Sequence, residues 1–94
     1  MRAAFDGLQR GRPDRRVFTA DFNAYLDERT AAAYARTLGP LGTPTAFLQT
    51  ASEDRGGMKS YDYRIVAGDR PLNLSVCVTT EGKIEQFLIA PATR

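Results

Sequence analysis

Residues Gly56–Ala92 read GGMKSYDYRIVAGDRPLNLSVCVTTEGKIEQFLIAPA, and this stretch decides the fold. Met58 to Ala67 alternates: Tyr61, Tyr63 and Ile65 fall on one side, Ser60, Asp62 and Arg64 on the other. Period two predicts a strand, because successive side chains leave a strand on opposite faces. Ala67-Gly68-Asp69-Arg70-Pro71 is a turn cluster, with Pro71 withholding a backbone donor at a strand start. Leu72 to Thr79 alternates again, Leu72, Leu74, Val76 and Val78 against Asn73, Ser75, Cys77 and Thr79. Thr80-Glu81-Gly82-Lys83 predicts a tight hairpin turn. The third run, Ile84 to Ala90, contains Phe87, Leu88 and Ile89 in succession. That density predicts a strand covered on both faces, as in a sheet centre or at an interface.

Upstream, the period changes. Ala4, Phe5 and Leu8 share a helical face, and Gly11 is placed to cap it, although Gly7 costs about 1 kcal/mol in a helix interior. Asp14 is positioned to cap a short turn over Arg15 to Phe18. Thr19 or Asp21 starts a second helical stretch in which Phe18, Phe22, Tyr25 and Leu26 form one stripe. Asp27 caps a third, Arg29 to Leu38, with Ala31, Tyr34, Ala35 and Leu38 on one face and Gly39-Pro40 as its stop, glycine left-handed. Thr45 to Ala51 predicts a further strand around Phe47, and Ser52 to Gly57 a turn into Met58. The expected architecture is α+β: N-terminal helices packed on a curved four-stranded antiparallel sheet whose strands are joined by short links.

Ninety-four residues make a single domain, 1–94, with a stability of about 5–10 kcal/mol. No apolar run is long enough to cross a bilayer. Phe5 and Leu8 begin as though a longer helix had been cut, so the expectation is a domain excised from a longer protein. Cys77 is the lone cysteine, which excludes an internal disulfide and a thiolate cluster for metal. The net charge of +2 is uneven: residues 1–16 hold five arginines against two aspartates, leaving −1 for the rest. No aromatic residue is interleaved with those arginines to stack a base, so they read as a solvated cluster and not as a nucleic-acid footprint.

The chemistry is constrained by what the chain lacks. It has no histidine, so neither a Ser-His-Asp nor a Cys-His nucleophile can be assembled within it, and imidazole metal ligands are missing. Its adjacent carboxylates, Asp27-Glu28 and Glu53-Asp54, read as caps and turns rather than as a general acid–base pair, which needs two groups aimed at one point. Gly56-Gly57 lacks the spacing and the lysine-serine pair of a phosphate loop. The expectation is a protein that is not an enzyme, with no catalytic residue, cofactor or metal. Two binding readings remain. Tyr61 and Tyr63 would wall a pocket for a small apolar ligand between helices and sheet, with Gln86 or Arg64 as polar handle, though alternation sets Arg64 opposite the tyrosines. The other face, with Cys77 and with Phe87 or Ile89 showing, would associate with a second copy or with an adjacent domain.

A resemblance joins these pieces. Leu8-Gln9-Arg10-Gly11, Asp14-Arg15, Phe18-Thr19, Gly39-Pro40-Leu41-Gly42 with Phe47, Arg55-Gly56-Gly57-Met58 and Gly82-Lys83-Ile84-Glu85-Gln86-Phe87 together resemble a short bacterial domain of the NTF2-like, or cystatin-like, cone fold. Such domains follow secreted serine-hydrolase or β-lactamase-like catalytic domains. The resemblance implies helices cradled by a curved four-stranded sheet, an accessory role without catalysis, a homodimer or a fused hydrolase as partner, and an extracytoplasmic address.

Overall fold

Three side-chain caps place the helices. In the computed structural model, which describes residues 1–92, Asp14 accepts from the Arg16 backbone N–H at 3.1 Å. Thr19 accepts from Phe22 at 3.1 Å and Asp27 from Thr30 at 2.8 Å. Each occupies extended backbone and satisfies a donor that the first helical turn leaves without a partner. They open a 3₁₀ turn at Arg15–Val17, helix α2 at Ala20–Tyr25 and helix α3 at Glu28–Leu38; helix α1, Arg2–Gln9, precedes them.

Gly7 has a steric purpose inside α1. A Cβ there would lie 3.0 Å from the Arg12 carbonyl oxygen and 3.5 Å from Pro13, so the chain leaving the helix folds back against the helix backbone itself. The end of α3 departs from expectation. Gly39 is right-handed, φ −54°, and enters a second 3₁₀ turn, Gly39–Leu41; the positive φ lies three residues later at Gly42, +76°. Proline crowds the Cβ of a helical residue before it. A glycine at 39 lets the chain pass through Pro40 while still winding.

Strands β1 (Pro44–Arg55), β2 (Met58–Ala67), β3 (Arg70–Val78) and β4 (Ile84–Pro91) form an antiparallel meander in the order β1-β2-β3-β4. Strand β1 runs four residues beyond its apolar part. Ser52 to Arg55, expected as turn, pair with Tyr61, Ser60, Lys59 and Met58, and the turn shrinks to Gly56-Gly57. These residues are exposed on both faces, so cross-strand hydrogen bonds hold them and no hydrophobic pattern announces them. The β4 expectation is corrected too. The dense Phe87-Leu88-Ile89 run lies on an edge strand and is not covered on both faces: Phe87 is 1% exposed and Leu88 61%.

All three helices pack on one face of the sheet. Phe5, Leu8, Phe18, Phe22, Leu26 and Leu38 meet Ile65, Leu72, Leu74, Val76, Ile84 and Phe87 in one core. Each large side chain buried there contributes about 1.5–3 kcal/mol, which is what holds so short a chain together. Tyr25, expected in the α2 stripe, is 60% exposed; Phe22 and Leu26 supply the buried face without it. The helical layer also grips the free edge of β4: Phe18 bridges Ile84 in parallel, the Thr19 N–H donates to the Ile84 carbonyl at 3.0 Å, and the Tyr34 hydroxyl donates to that of Phe87 at 3.2 Å.

Candidate functional site

Among the described residues no helix lies on the opposite face of the sheet, and strand register fixes what stands there. Neighbours across the ladder share a face. Glu53, Ser60, Cys77 and Gln86 form one row, and Ala51, Asp62, Ser75 and Leu88 the next. Leu48, Arg64, Asn73 and Ala90 follow, and then Ala46, Val66 and Pro71. A bulge between Gln49 and Ala51 keeps β1 in phase with this pattern. Polar residues collect toward one end of the face, around a hollow of about 520 Å³ that Asp62, Ser75, Cys77 and Gln86 help to line. Alanines, Val66 and Pro71 collect toward the other end. Leu48 and Leu88, 62% and 61% exposed, stand on the two outer strands.

Within the hollow, the Ser75 hydroxyl donates to Asp62 Oδ1 at 2.8 Å, and the Cys77 Sγ lies 3.5 Å from Gln86 Oε1. The chain has no imidazole that could join these two side chains in a Ser-His-Asp arrangement. What the rows offer is a patterned surface of donors, acceptors and aliphatic groups.

The residues expected to form a pocket are not brought together. Tyr61 and Tyr63 do face the helical side, both half-buried. Tyr63 packs on Phe47 at 5.4 Å, and Phe47 meets Phe5 edge-on at 5.9 Å. Burial, with Tyr61 beside it, raises the Tyr63 hydroxyl above the ordinary tyrosine pKa. Gln86 stands on the opposite face beside Cys77, and Arg64 is likewise across the sheet. Neither can serve as a polar handle for the tyrosines. Tyr61 instead borders a polar hollow of about 200 Å³ with Ser52, Glu53, Asp54 and Lys59.

The surface set also changes membership. Cys77 stands on the open face as expected, half-buried and in no disulfide. Phe87 and Ile89 do not: they pair with Val76 and Leu74 and turn inward, so Leu88 between them is the residue that shows. Ile89 borders a cleft of about 240 Å³ at the β4 edge, lined by Tyr25, Thr30, Ala33, Tyr34, Thr37 and Leu38 as well. Burial, and then the neighbouring Tyr25 hydroxyl, raise the Tyr34 pKa. No sequence signal marked this cleft, because Tyr25 and Tyr34 sit on separate helices and each reads alone as a core aromatic. No group of histidine, cysteine and carboxylate side chains able to hold a metal ion occurs among the described residues. Among the described residues, no helix is long and apolar enough to cross a membrane.

Comparisons with protein-family models, curated proteins and solved structures found no match to this chain.

Proposed function

We propose that this chain is a non-catalytic accessory domain of the NTF2-like, cystatin-like kind that associates with protein through the open face of its sheet. One observation carries the reading. Among the described residues, two of the three large hydrophobic side chains that stand exposed, Leu48 and Leu88, are on that uncovered face. Burying each would contribute about 1.5–3 kcal/mol to an association. The other route by which sheets associate, edge pairing, is obstructed at both ends. Helical donors engage β4, while β1 is bulged and carries Glu53, Asp54 and Arg55 along its far end. The partner is a second copy or an adjacent hydrolase domain, with an extracytoplasmic address following from the same resemblance. Light scattering on the isolated chain, with a pull-down of the hydrolase domain, tests the reading. Association that Leu48→Lys with Leu88→Lys abolishes, in a chain still folded by circular dichroism, is the expected result. A monomer that also ignores the hydrolase would overturn it.

A second reading, a small apolar ligand, is favoured by the Tyr25–Tyr34 cleft rather than by Tyr61 and Tyr63. Its aromatic walls and threonine hydroxyls suit a small amphiphile, though its volume of about 240 Å³ falls below the roughly 300–1,000 Å³ of ordinary ligand pockets. Chemical-shift changes confined to Tyr25, Tyr34 and Ile89 on titration with small aromatic alcohols are its test; no saturable shift would dismiss it.

A further inference from the structure

We propose that the outer flank of α1 carries a ligand site of its own, in which Arg10 and Arg12 clamp the phosphate of a small sugar phosphate and Asp6 accepts from the sugar hydroxyls. The site belongs to the helical layer, away from the open face of the sheet, and goes beyond the association proposed above.

The observation is how the fold employs the five arginines of its first sixteen residues. Arg2 donates to the Pro44 carbonyl at 3.2 Å, Arg15 donates to that of Asn23 at 3.4 Å, and Arg16 pairs with Asp14 at 3.0 Å. Among the described residues, no hydrogen bond or ion pair engages the side chain of Arg10 or of Arg12. Both residues line one hollow of about 550 Å³, together with Ala3, Asp6 and Gly7. That volume lies within the roughly 300–1,000 Å³ of ordinary ligand pockets.

Two glycines bring the arginines to the same place. Ala4, Phe5 and Leu8 turn one face of α1 into the core, which leaves Ala3, Asp6, Gly7 and Arg10 on the outward flank. A helix continued past Arg10 would carry residue 12 about 200° around the axis, away from residue 10. Instead Gly11 is left-handed, φ +72°, and the Arg12 N–H donates back to the Gly7 carbonyl at 2.8 Å. Arg12 thus returns over Gly7, where a Cβ would meet the Arg12 carbonyl oxygen at 3.0 Å.

The charges name the occupant. Asp6 and Arg10 stand four residues apart on α1, the spacing at which a helix commonly forms an ion pair, and they form none. The carboxylate and the two arginines line the hollow without closing it. A phosphate monoester carries about −1.5 to −2 charges at neutral pH and three acceptor oxygens. The guanidinium fork meets such oxygens two at a time, and two guanidiniums balance the charge. A bare anion would leave Asp6 facing like charge. An ionised carboxylate only accepts hydrogen bonds, so the organic part of the ligand has to bring donors, as sugar hydroxyls do. No aromatic side chain lines the hollow to stack a base, which sets a sugar phosphate ahead of a nucleic-acid strand.

Calorimetric titration of the whole chain with glucose 6-phosphate, inorganic phosphate and glucose tests the site. Saturable binding of the ester is expected, with inorganic phosphate at least about tenfold weaker and glucose not bound. Arg10→Gln and Arg12→Gln should each weaken the ester at least about tenfold, in chains still folded by circular dichroism. Arg10→Lys with Arg12→Lys keeps the charge and removes the fork, and should lose most of the affinity as well. Asp6→Asn should tighten inorganic phosphate and bring it within about threefold of the ester. No saturable binding of the ester, binding that both glutamine variants retain, or an ester held no more tightly than inorganic phosphate overturns the proposal. An oligothymidylate bound more tightly than the ester overturns it in favour of a nucleic-acid strand.

Discussion

The Tyr34 hydroxyl donates to the Phe87 carbonyl at 3.2 Å across fifty-three positions of sequence, while the Tyr34 ring meets the Phe87 ring edge-on at 6.5 Å. One side chain thus closes the polar and the apolar seam between α3 and β4. It also occupies an acceptor on a sheet edge that would otherwise invite another strand.

Tyr34→Phe separates the two contributions. The ring contact stays and the hydrogen bond goes, so a loss of about 0.5–1.5 kcal/mol is expected in a urea unfolding curve. Faster amide exchange along Phe87–Ile89, with the β1–β2 amides unchanged, would show that the loss is local to this edge. Uniform exchange throughout would count against it.

Adjacent residues of β4 should behave as opposites. Phe87→Ala empties a fully buried ring position and is expected to cost about 3–5 kcal/mol, a large share of the stability of a domain this size. Leu88→Ser, one residue on and 61% exposed, should leave the monomer within about 0.5 kcal/mol of the parent. Comparable losses at the two positions would contradict the facing of the strand.

Thr19 serves two elements through different atoms. Its hydroxyl caps α2 and its backbone N–H reaches Ile84. Thr19→Ala removes only the first, with an expected cost of about 0.5–2 kcal/mol; Thr19→Ser should restore most of it. Thermal unfolding of the three chains is the check, and failure of serine to rescue would assign the loss to something other than the cap.

Stability should decline at both ends of the pH range. The Arg16 side chain and backbone hold Asp14 below the ordinary carboxylate pKa, and the Thr30 N–H does the same for Asp27. A depressed carboxyl favours the fold fully above its unfolded value, and that help is lost as pH falls through the lower folded value. Tyr34 and Tyr63 are raised, chiefly by burial, so their share is complete below the ordinary tyrosine range and lost as pH climbs through it and beyond. Asp27→Asn keeps a good cap while removing the titration. Its urea midpoint should match the parent at neutral pH and fall less steeply in acid. Tyr34→Phe should flatten the alkaline limb in the same way. An unchanged acid slope in Asp27→Asn would show that the cap does not carry it.

The parts of this fold that sequence revealed are those whose causes are local. Asp14, Thr19 and Asp27 each act on a backbone N–H within three residues, and the alternation of Tyr61 to Ile65 and of Leu72 to Val78 is a property of neighbours. Where the pattern is silent, register decides. Three apolar residues in a row cannot say that Phe87 turns inward and Leu88 outward; pairing of Phe87 with Val76 does. Ser52 to Arg55 show no apolar periodicity because they are strand by virtue of β2 alone. No local pattern says that Gln86 pairs with Cys77, the register that puts it through the sheet from Tyr61 and Tyr63.

The helices come first in the chain and the strands that cover them come last. During synthesis at about 5–20 residues per second, Phe22 would wait roughly 3–13 s for Phe87 to be made. Through that interval the aromatic side chains of the helical layer stand without the strands that bury them in the folded domain. Exchanging the order of the two layers by circular permutation, which would let the meander form first, should shorten that exposure without altering the finished domain.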